Sequence, residues 1–256
     1  MPTPFSHLVA IEKLLHDEQV PAVYRDVLNA ERPAYLLGAV APDARVDAPD
    51  SRAATHFYTY QDGITEHPWR IMLRRYNTSF VPPYPDDRRA FVAGYVAHLA
   101  MDEIWTVHML GPHFAFGDWG ENQKARFFVL HLLLIDMDER DLDALPAYVP
   151  PEIECAEPAE GWLPFMPLEV MVDWQRMIFD QIRLNGESQT LPIFGERVNR
   201  TPAQLRALAD DPAWMQANVW DNVPRQVLHT VEAQMYVHAR ESLVAFLDEH
   251  TLLTRE

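Results

Sequence analysis

Apolar residues recur at helical spacing along most of the chain, and the strict alternation typical of half-buried strands is nearly absent. The stretch HLVAIEKLL near the start is one example. Its apolar residues lie three or four positions apart, and Ser6 precedes them where a side chain can cap a helix. The pattern therefore predicts an all-α chain in which several helices surround one core.

Start and stop signals predict where the other helices lie. Pro21 fits the first turn of a second helix, and Gly111 with Pro112 fits the end of a long helix that starts near residue 87. Apolar periodicity also predicts helices from about residue 121 into the acidic stretch DMDERDLDAL, over about residues 168–186, and from Pro224 onward. The acidic stretch is interpreted as a solvated helix end.

Six prolines within residues 146–167 exclude one continuous helix there. The segment is either a domain boundary or a long ordered loop laid over the helices. Because 256 residues can form one large domain, we predict a single all-helical domain over residues 1–256 with long irregular loops. It would comprise a core that carries the functional residues (1–145), the proline-rich connection (146–167) and C-terminal helices (168–256).

Charge and cysteine content disfavour several classes of protein. The 38 acidic and 21 basic residues give a formal net charge of −17, which repels nucleic-acid phosphates and disfavours a nucleic-acid partner. Cys155 is the only cysteine, so neither an intrachain disulfide nor a cysteine-rich zinc site is possible. Residues 127–135 form the longest apolar run, too short to span a membrane, and no signal peptide is recognisable. We therefore expect a cytoplasmic protein without a transmembrane segment.

The helical stretch GYVAHLAMDEIWTVH carries polar groups on a face that otherwise looks buried. His98 and Asp102 are four residues apart, so their side chains lie one above the other and can reach one cation. In an ideal helix His108 is rotated by roughly 80–120° from this pair and flanks it. Taken alone, the pair favours a hydrogen bond on a helix surface over a metal site.

Three other segments supply residues of the same types. His7 lies at the start of the first helix, Asp43 follows a proline in LLGAVAPD, and His56 lies between a threonine and an aromatic residue in ATHFY. Each also has a structural interpretation, as a helix-start residue, a turn residue and a core histidine respectively. Together with His98 and Asp102 they indicate a metal centre. Imidazole and carboxylate ligands without thiolate suit zinc, and also iron, manganese or nickel.

The ordered motifs around these residues resemble the bacterial zinc-dependent phospholipase C family, whose distant relatives include fungal single-strand nucleases. The resemblance covers roughly residues 5–110 and implies an all-helical domain with a cluster of up to three zinc ions. It implies that one zinc ion is bound by Asp43, His56, His98 and Asp102. Asp102 would bridge to a second ion held by His7, and His108 would belong to a third.

The third ion lacks a recognisable partner for His108. The family uses a His-x-x-x-Glu pair on a later helix, and this spacing is not found at that place. The nearest candidates for a partner of His108 are His113 and the pair His131 and Asp138. His131 and Asp138 are about 10 Å apart along a helix, which is too distant for both to bind one ion. Secreted members also use the N-terminal amine and a tryptophan, whereas MPTPFS precedes His7 here. We therefore predict two zinc ions.

Two cations about 3.5–4 Å apart can activate a water molecule and stabilise phosphoryl oxygens during an in-line displacement. We therefore expect a metal-dependent phosphoesterase that hydrolyses a phospholipid or a small phosphodiester, with Asp43 accepting the proton of the attacking water. The alternative is a non-catalytic helical binding or scaffold protein with at most a structural metal. The negative charge disfavours a nuclease.

Two features allow more than one interpretation. His238, in the last predicted helix, lies on an apolar stripe with Val231 and Met235, which favours a buried, hydrogen-bonded histidine over a metal ligand. The loop GPHFAFGDWG is either a lid or lipid-contacting tip, or a glycine-rich loop whose aromatic residues anchor it to the core.

Overall fold

All regular structure is helical in the computed structural model, which describes residues 2–46, 48 and 51–251. Within these residues there are 13 α-helices and no strand. The prediction of an all-α fold is therefore confirmed. The buried apolar side chains of the described residues pack into one core that extends from the first helix to the last.

The helices vary widely in length, and irregular segments connect several of them. The α-helices are α1 Pro4–Leu14, α2 Ala22–Ala30, α3 Arg32–Val40, α4 Ser51–His56, α5 Pro68–Arg75, α6 Asp86–Trp105, α7 Gln123–Ala144, α8 Val149–Cys155, α9 Leu168–Ile182, α10 Thr190–Val198, α11 Pro202–Ala209, α12 Pro212–Met215 and α13 Arg225–Thr251. A 3-10 turn, Ala41–Asp43, follows α3, and two π-helical segments, Thr106–Ala115 and Gln216–Trp220, continue α6 and α12.

Helix α6 forms the centre of the molecule. Every residue from Ala90 to Asp102 is buried, as expected for a helix that is enclosed on all sides. Helix α6 packs along α3 and along α13, and it also contacts α1 and the 3-10 turn. Polar residues in this part of α6 are therefore surrounded by other elements instead of by water.

Two glycines allow α3 and α6 to cross at close range. A Cβ atom on Gly94 would lie 2.2 Å from the backbone oxygen of Tyr35, and one on Gly38 would lie 2.0 Å from that of Phe91. Any larger residue would force the two backbones apart. The close crossing brings the carbonyl oxygen of Ala39 within 2.7 Å of the His98 ring.

The predicted cap of the first helix is wrong. Helix α1 begins at Pro4 after Thr3, because proline tolerates the first helical position where no intrahelical hydrogen bond is needed. Ser6 therefore lies inside the helix, and its hydroxyl donates to the carboxylate of Asp141 on α7.

The predicted end of the long helix is also wrong. The chain does not leave the helix at Gly111 and Pro112 but continues to Ala115 in the π-helical register. The N–H of Phe116 donates to the carbonyl oxygen of Gly111, five residues back, at 2.9 Å. The helix continues because its backbone hydrogen bonds change partner, which a sequence pattern with a period of 3.6 residues does not reveal.

The acidic stretch at the end of α7 is not wholly solvated, which corrects that prediction for two of its residues. Asp138 and Asp141 are 1% and 5% exposed. Asp138 accepts hydrogen bonds from the hydroxyls of Ser188 and Thr190, and Asp141 accepts one from Ser6. Donors from neighbouring elements replace water, so burial of these carboxylates is tolerated.

We predicted that the proline-rich segment 146–167 is not one continuous helix, and the structure agrees. The segment does contain the short helix α8. Pro150 and Pro151 lie in the first turn of α8, where a missing N–H costs no hydrogen bond. Helix α8 packs against α3 and α9. None of the helices in the described part of the chain has the length and apolar composition needed to cross a membrane.

Candidate metal centre

Five polar side chains from four segments converge beside α6. His7 comes from α1, Asp43 ends the 3-10 turn, and His56 ends α4. His98 and Asp102 occupy successive turns of α6. The three histidines and Asp102 are at most 2% exposed. The five residues predicted from the motifs as ligands of the first two ions therefore lie together, with α6 as their support.

Asp102 lies at the middle of this group. Its Oδ1 atom is 3.4 Å from His7 Nε2, whereas its Oδ2 atom is 3.2 Å from His56 Nε2 and 3.5 Å from His98 Nε2. The two oxygens face different imidazoles, which is the arrangement of a carboxylate shared between two cations. Asp43 Oδ1 is 3.5 Å from His56 Nε2, and 19% of the Asp43 side chain is exposed. Asp43 thus marks the side of the group that is open to solvent.

Several ligand atoms of this group are buried and make no hydrogen bond. They are both ring nitrogens of His7, the Nε2 atoms of His56 and His98, and Oδ1 of Asp102. An unsatisfied buried polar atom costs about 1–3 kcal/mol, so several of them in one place indicate a missing partner.

The spacing of these atoms suits a metal ion. Zinc binds imidazole nitrogen and carboxylate oxygen at about 2.0–2.2 Å, which places neighbouring tetrahedral ligand atoms about 3.3–3.6 Å apart. The separations around Asp102 are 3.2 to 3.5 Å. The residues present therefore fit a cation in donor type, in spacing and in the lack of other partners.

Contacts on the far side of two rings determine which nitrogen faces the centre. His98 Nδ1 donates to the carbonyl oxygen of Ala39 at 2.7 Å, so a neutral ring presents the Nε2 lone pair. His56 Nδ1 is 2.9 Å from the hydroxyl of Thr55, which in turn donates to backbone carbonyls of α4. The His7 ring stacks on His98 with 3.6 Å between centroids. These contacts fix the orientation of the three rings.

Most of the chain matches a family of known function. A family model described as zinc dependent phospholipase C matches residues 3–210. The chain belongs to this family. The family predicted from motifs in residues 5–110 is therefore confirmed, and the match extends through α11. No curated protein and no solved structure matches the chain.

Electrostatic interactions favour the ionisation states in which Asp102, Asp43 and His7 bind a cation. His98 differs, because burial lowers its pKa but the charge of Asp102 raises it overall. Burial raises the pKa of Asp102, but the charge of His98 and contacts with the three imidazoles lower it well below its usual range. Burial likewise opposes ionisation of Asp43, and its contact with His56 is the largest cause that lowers its pKa. Burial, followed by the charge of His98, lowers the pKa of His7. At neutral pH both carboxylates are anionic and His7 is neutral, as metal binding requires.

Arg52 is a site residue that the motifs did not indicate. Its Nη2 atom lies 2.9 Å from Asp102 Oδ2 and 2.9 Å from the hydroxyl of Tyr58, and its Nε atom is buried without a hydrogen-bond partner. The guanidinium lies over the rings of Tyr58 and Tyr60. One signal was present in the sequence: Arg52 precedes His56 by four residues, so both share one face of α4.

The structure does not bring His108 to this centre. His108 is exposed on the π-helical segment, and it belongs to none of the groups of three close ligand atoms found among the described residues. His131 and Asp138 are also absent from those groups. His131 Nδ1 donates to the carbonyl oxygen of Phe127, and Asp138 accepts from hydroxyls. A third ion bound by His108 stays a prediction.

The aromatic loop after α6 is anchored to the core, with one exposed ring. Phe114 is fully buried, and Trp119 Nε1 donates to the carbonyl oxygen of His113 at 2.7 Å. Phe116 is 85% exposed. The anchoring interpretation therefore holds for Phe114 and Trp119, while Phe116 projects into solvent.

Proposed function

We propose that this protein is a metal-dependent phosphoesterase that hydrolyses a phospholipid or a small phosphodiester by means of a metal-activated water. Membership of the zinc-dependent phospholipase C family supports hydrolase chemistry. One observation carries the proposal: the two oxygens of Asp102 face different buried imidazoles, and the Nε2 atoms of both rings make no hydrogen bond.

The proposed metal is zinc, with two ions that share Asp102. Iron, manganese or nickel would accept the same donors. The proposed ligands are His7, Asp43, His56, His98 and Asp102. When bound, such ions lower the pKa of water from about 15.7 to about 7 and stabilise charge on phosphoryl oxygens.

Asp43 is the proposed general base. Burial raises the pKa of Asp43, but its contact with His56 lowers it overall, so the carboxylate is anionic at neutral pH. It is also the one carboxylate of the group with solvent exposure, at 19%. In the proposed reaction the proton of the attacking water moves to Asp43, while Asp102 stays ionised and holds the ligand set together.

Arg52 is proposed to bind a phosphoryl oxygen of the substrate. Its side chain is 26% exposed, and its guanidinium adjoins Asp102. The buried Nε atom has no hydrogen-bond partner, so Asp102 and Tyr58 do not satisfy every donor of the guanidinium. Arginine suits this task because its parallel N–H groups match the oxygens of a phosphate.

A non-catalytic binding or scaffold protein is the second candidate. One observation favours it: His108 is exposed and joins no ligand group among the described residues, so a third ion has no visible support. A scaffold would keep its ions and hydrolyse no phosphoester. A nuclease is disfavoured by the net charge of −17.

Metal analysis tests the centre directly. We expect the purified protein to contain at least one transition-metal ion per chain and His98→Ala to lose most of it, because His98 supplies a proposed ligand. His16→Ala is a matched control, since His16 is exposed just beyond α1. A protein with less than one ion per chain, unchanged by His98→Ala, would contradict the proposal.

Turnover separates the two candidate functions. The zinc-loaded protein should hydrolyse phosphatidylcholine or a chromogenic phosphodiester, and Asp43→Asn, assayed with zinc in excess, should lower kcat by about 100-fold or more, because proton transfer contributes about 10²–10⁴-fold. Metal-loaded protein without turnover that depends on Asp43 would favour the scaffold.

We also propose a cytoplasmic location without nucleic-acid partners. The single cysteine supports this, since it allows no intrachain disulfide that would require an oxidising compartment. Fractionation of cells that express the tagged protein tests the location, and recovery outside the cytoplasmic fraction would contradict it.

A further inference from the structure

A second group of metal-binding side chains lies away from the proposed centre. It consists of His67, which immediately precedes α5, Glu103 on α6 and His238 on α13. One ligand atom from each residue lies within 4.8 Å of the other two. Glu103 follows Asp102 directly, so the two side chains leave α6 about 100° apart and face different neighbours.

The three side chains converge on the carboxylate of Glu103. His67 Nδ1 lies 3.0 Å from both oxygens of Glu103, and His238 Nε2 lies 3.2 Å from Oε2. The centroids of the two imidazole rings are 5.2 Å apart. The two nitrogen–oxygen separations, 3.0 and 3.2 Å, are close to the spacing of about 3.3–3.6 Å expected between tetrahedral zinc ligands.

Burial and charge favour cation binding by this group. Glu103 is 13% exposed and His238 is 19% exposed, whereas His67 is 47% exposed. Two ligands are therefore held by packing between helices, and the side of His67 is open to water. A glutamate side chain is ordinarily anionic at neutral pH, so the group offers a negative charge to a cation.

Membership of the family does not imply this group. His238 lies outside the matched range 3–210, on the C-terminal helix α13. The apolar stripe around His238 predicted a buried, hydrogen-bonded histidine. The structure shows the predicted hydrogen bond, with Glu103 as the partner, but His238 is half-buried and not fully buried.

We propose that His67, Glu103 and His238 form a second site for a divalent transition-metal cation such as zinc, with water in the open fourth position. Two histidines and one glutamate are a donor set that zinc accepts. On binding, Nδ1 of His67 and Nε2 of His238 present lone pairs to the cation, and each neutral ring carries its hydrogen on the other nitrogen. The ion joins α13 to α6 and to the start of α5, and so stabilises the folded chain.

Metal titration of the full-length protein tests this site without reference to catalysis. Cobalt(II) and zinc are titrated into metal-free wild type, His67→Ala and His238→Ala. We expect each variant to bind about one equivalent less than wild type. His67→Ala alters an exposed side chain, so it reports on the site even if His238→Ala fails to fold.

A matched control separates this site from a general loss of histidine. His229→Ala removes an exposed histidine from the same helix as His238 and should bind as many ions as wild type. The rise in Tm on adding zinc should also be smaller in His67→Ala than in His229→Ala.

Two outcomes distinguish this site from the centre around Asp102. His98→Ala should lose ions from that centre and keep the ion bound by His67. Equal ion counts in wild type, His67→Ala and His238→Ala would mean that the three side chains form only a hydrogen-bonded cluster, and would overturn the proposal.

Discussion

At the scale of single residues, orientation decides what the side chains of the metal centre can do. The motifs identified Asp102 by type and position, but the structure shows its oxygens facing different imidazoles. The motifs likewise identified His98, but only the structure shows that its Nδ1 donates to the carbonyl oxygen of Ala39. A contact on one side of a ring thus determines which atom remains for a cation on the other side.

The proposed role of Arg52 gives a prediction at this scale. Arg52→Lys keeps a positive charge but loses the planar pair of donors, so we expect kcat/KM for a phosphodiester to fall by about 10–100-fold. Zinc content should stay at the wild-type level, because Arg52 is not a proposed ligand. The measurement is steady-state kinetics together with metal analysis.

Arg176→Lys is the matched control for Arg52→Lys, since the Arg176 side chain is 67% exposed on α9. It should retain wild-type kinetics. Parallel loss of zinc and activity in Arg52→Lys would show that Arg52 supports the ligands instead of binding substrate.

At the scale of elements, the close crossing of α3 and α6 sets the geometry of the centre. Gly38 and Gly94 allow the two backbones to touch, and the crossing carries both Ala39 and the 3-10 turn with Asp43 to the face of α6. The sequence shows two glycines within helical segments but not that they face each other.

Gly94→Ala tests this crossing. The added Cβ would lie 2.2 Å from the backbone oxygen of Tyr35, which cannot move as a side chain can. We expect the free energy of unfolding to fall by about 1–3 kcal/mol or more, measured by urea denaturation.

Gly111→Ala is the control for this substitution, because its nearest contact would be a 3.2 Å approach to the Thr106 oxygen. Its effect should be clearly smaller. A Gly94→Ala protein as stable as wild type would show that the two helices separate at little cost.

At the scale of the whole molecule, buried ionisable groups make stability depend on pH. Burial is the largest cause that lowers the pKa of His131 below its ordinary value of 6.5, and the ring packs against Phe194. Below pH 6.5 the unfolded chain therefore binds more protons at this residue than the folded chain. Because a lower pH stabilises the state that binds more protons, His131 lowers the free energy of unfolding as pH falls through 6.5.

His131→Gln should therefore lose less stability than wild type between neutral pH and about pH 5. The measurement is the free energy of unfolding from urea denaturation at both pH values. His229→Gln, which changes an exposed residue on α13, should follow wild type. An equal loss in His131→Gln and wild type would contradict this assignment.

Much of the fold and centre could be predicted from local pattern. Helical periodicity predicted the all-α class, and the spacing of His98 and Asp102 placed both on one face of α6. Predictions from local pattern failed where burial of a side chain depends on a hydrogen-bond partner that is distant in the sequence. Asp138 and Asp141 look solvated in the sequence, yet hydroxyls from α1, α10 and the segment before α10 permit their burial.

The sequence by itself determined the helical class, the family and the five residues that meet at the centre, because periodicity and motif order are properties of the chain. Only the tertiary structure decided that Arg52 adjoins Asp102, that His108 is exposed, and that His67 and Glu103 meet His238. Glu103 and His238 are 135 positions apart. Such contacts depend on how helices pack across the core, and no local spacing in the sequence records that packing.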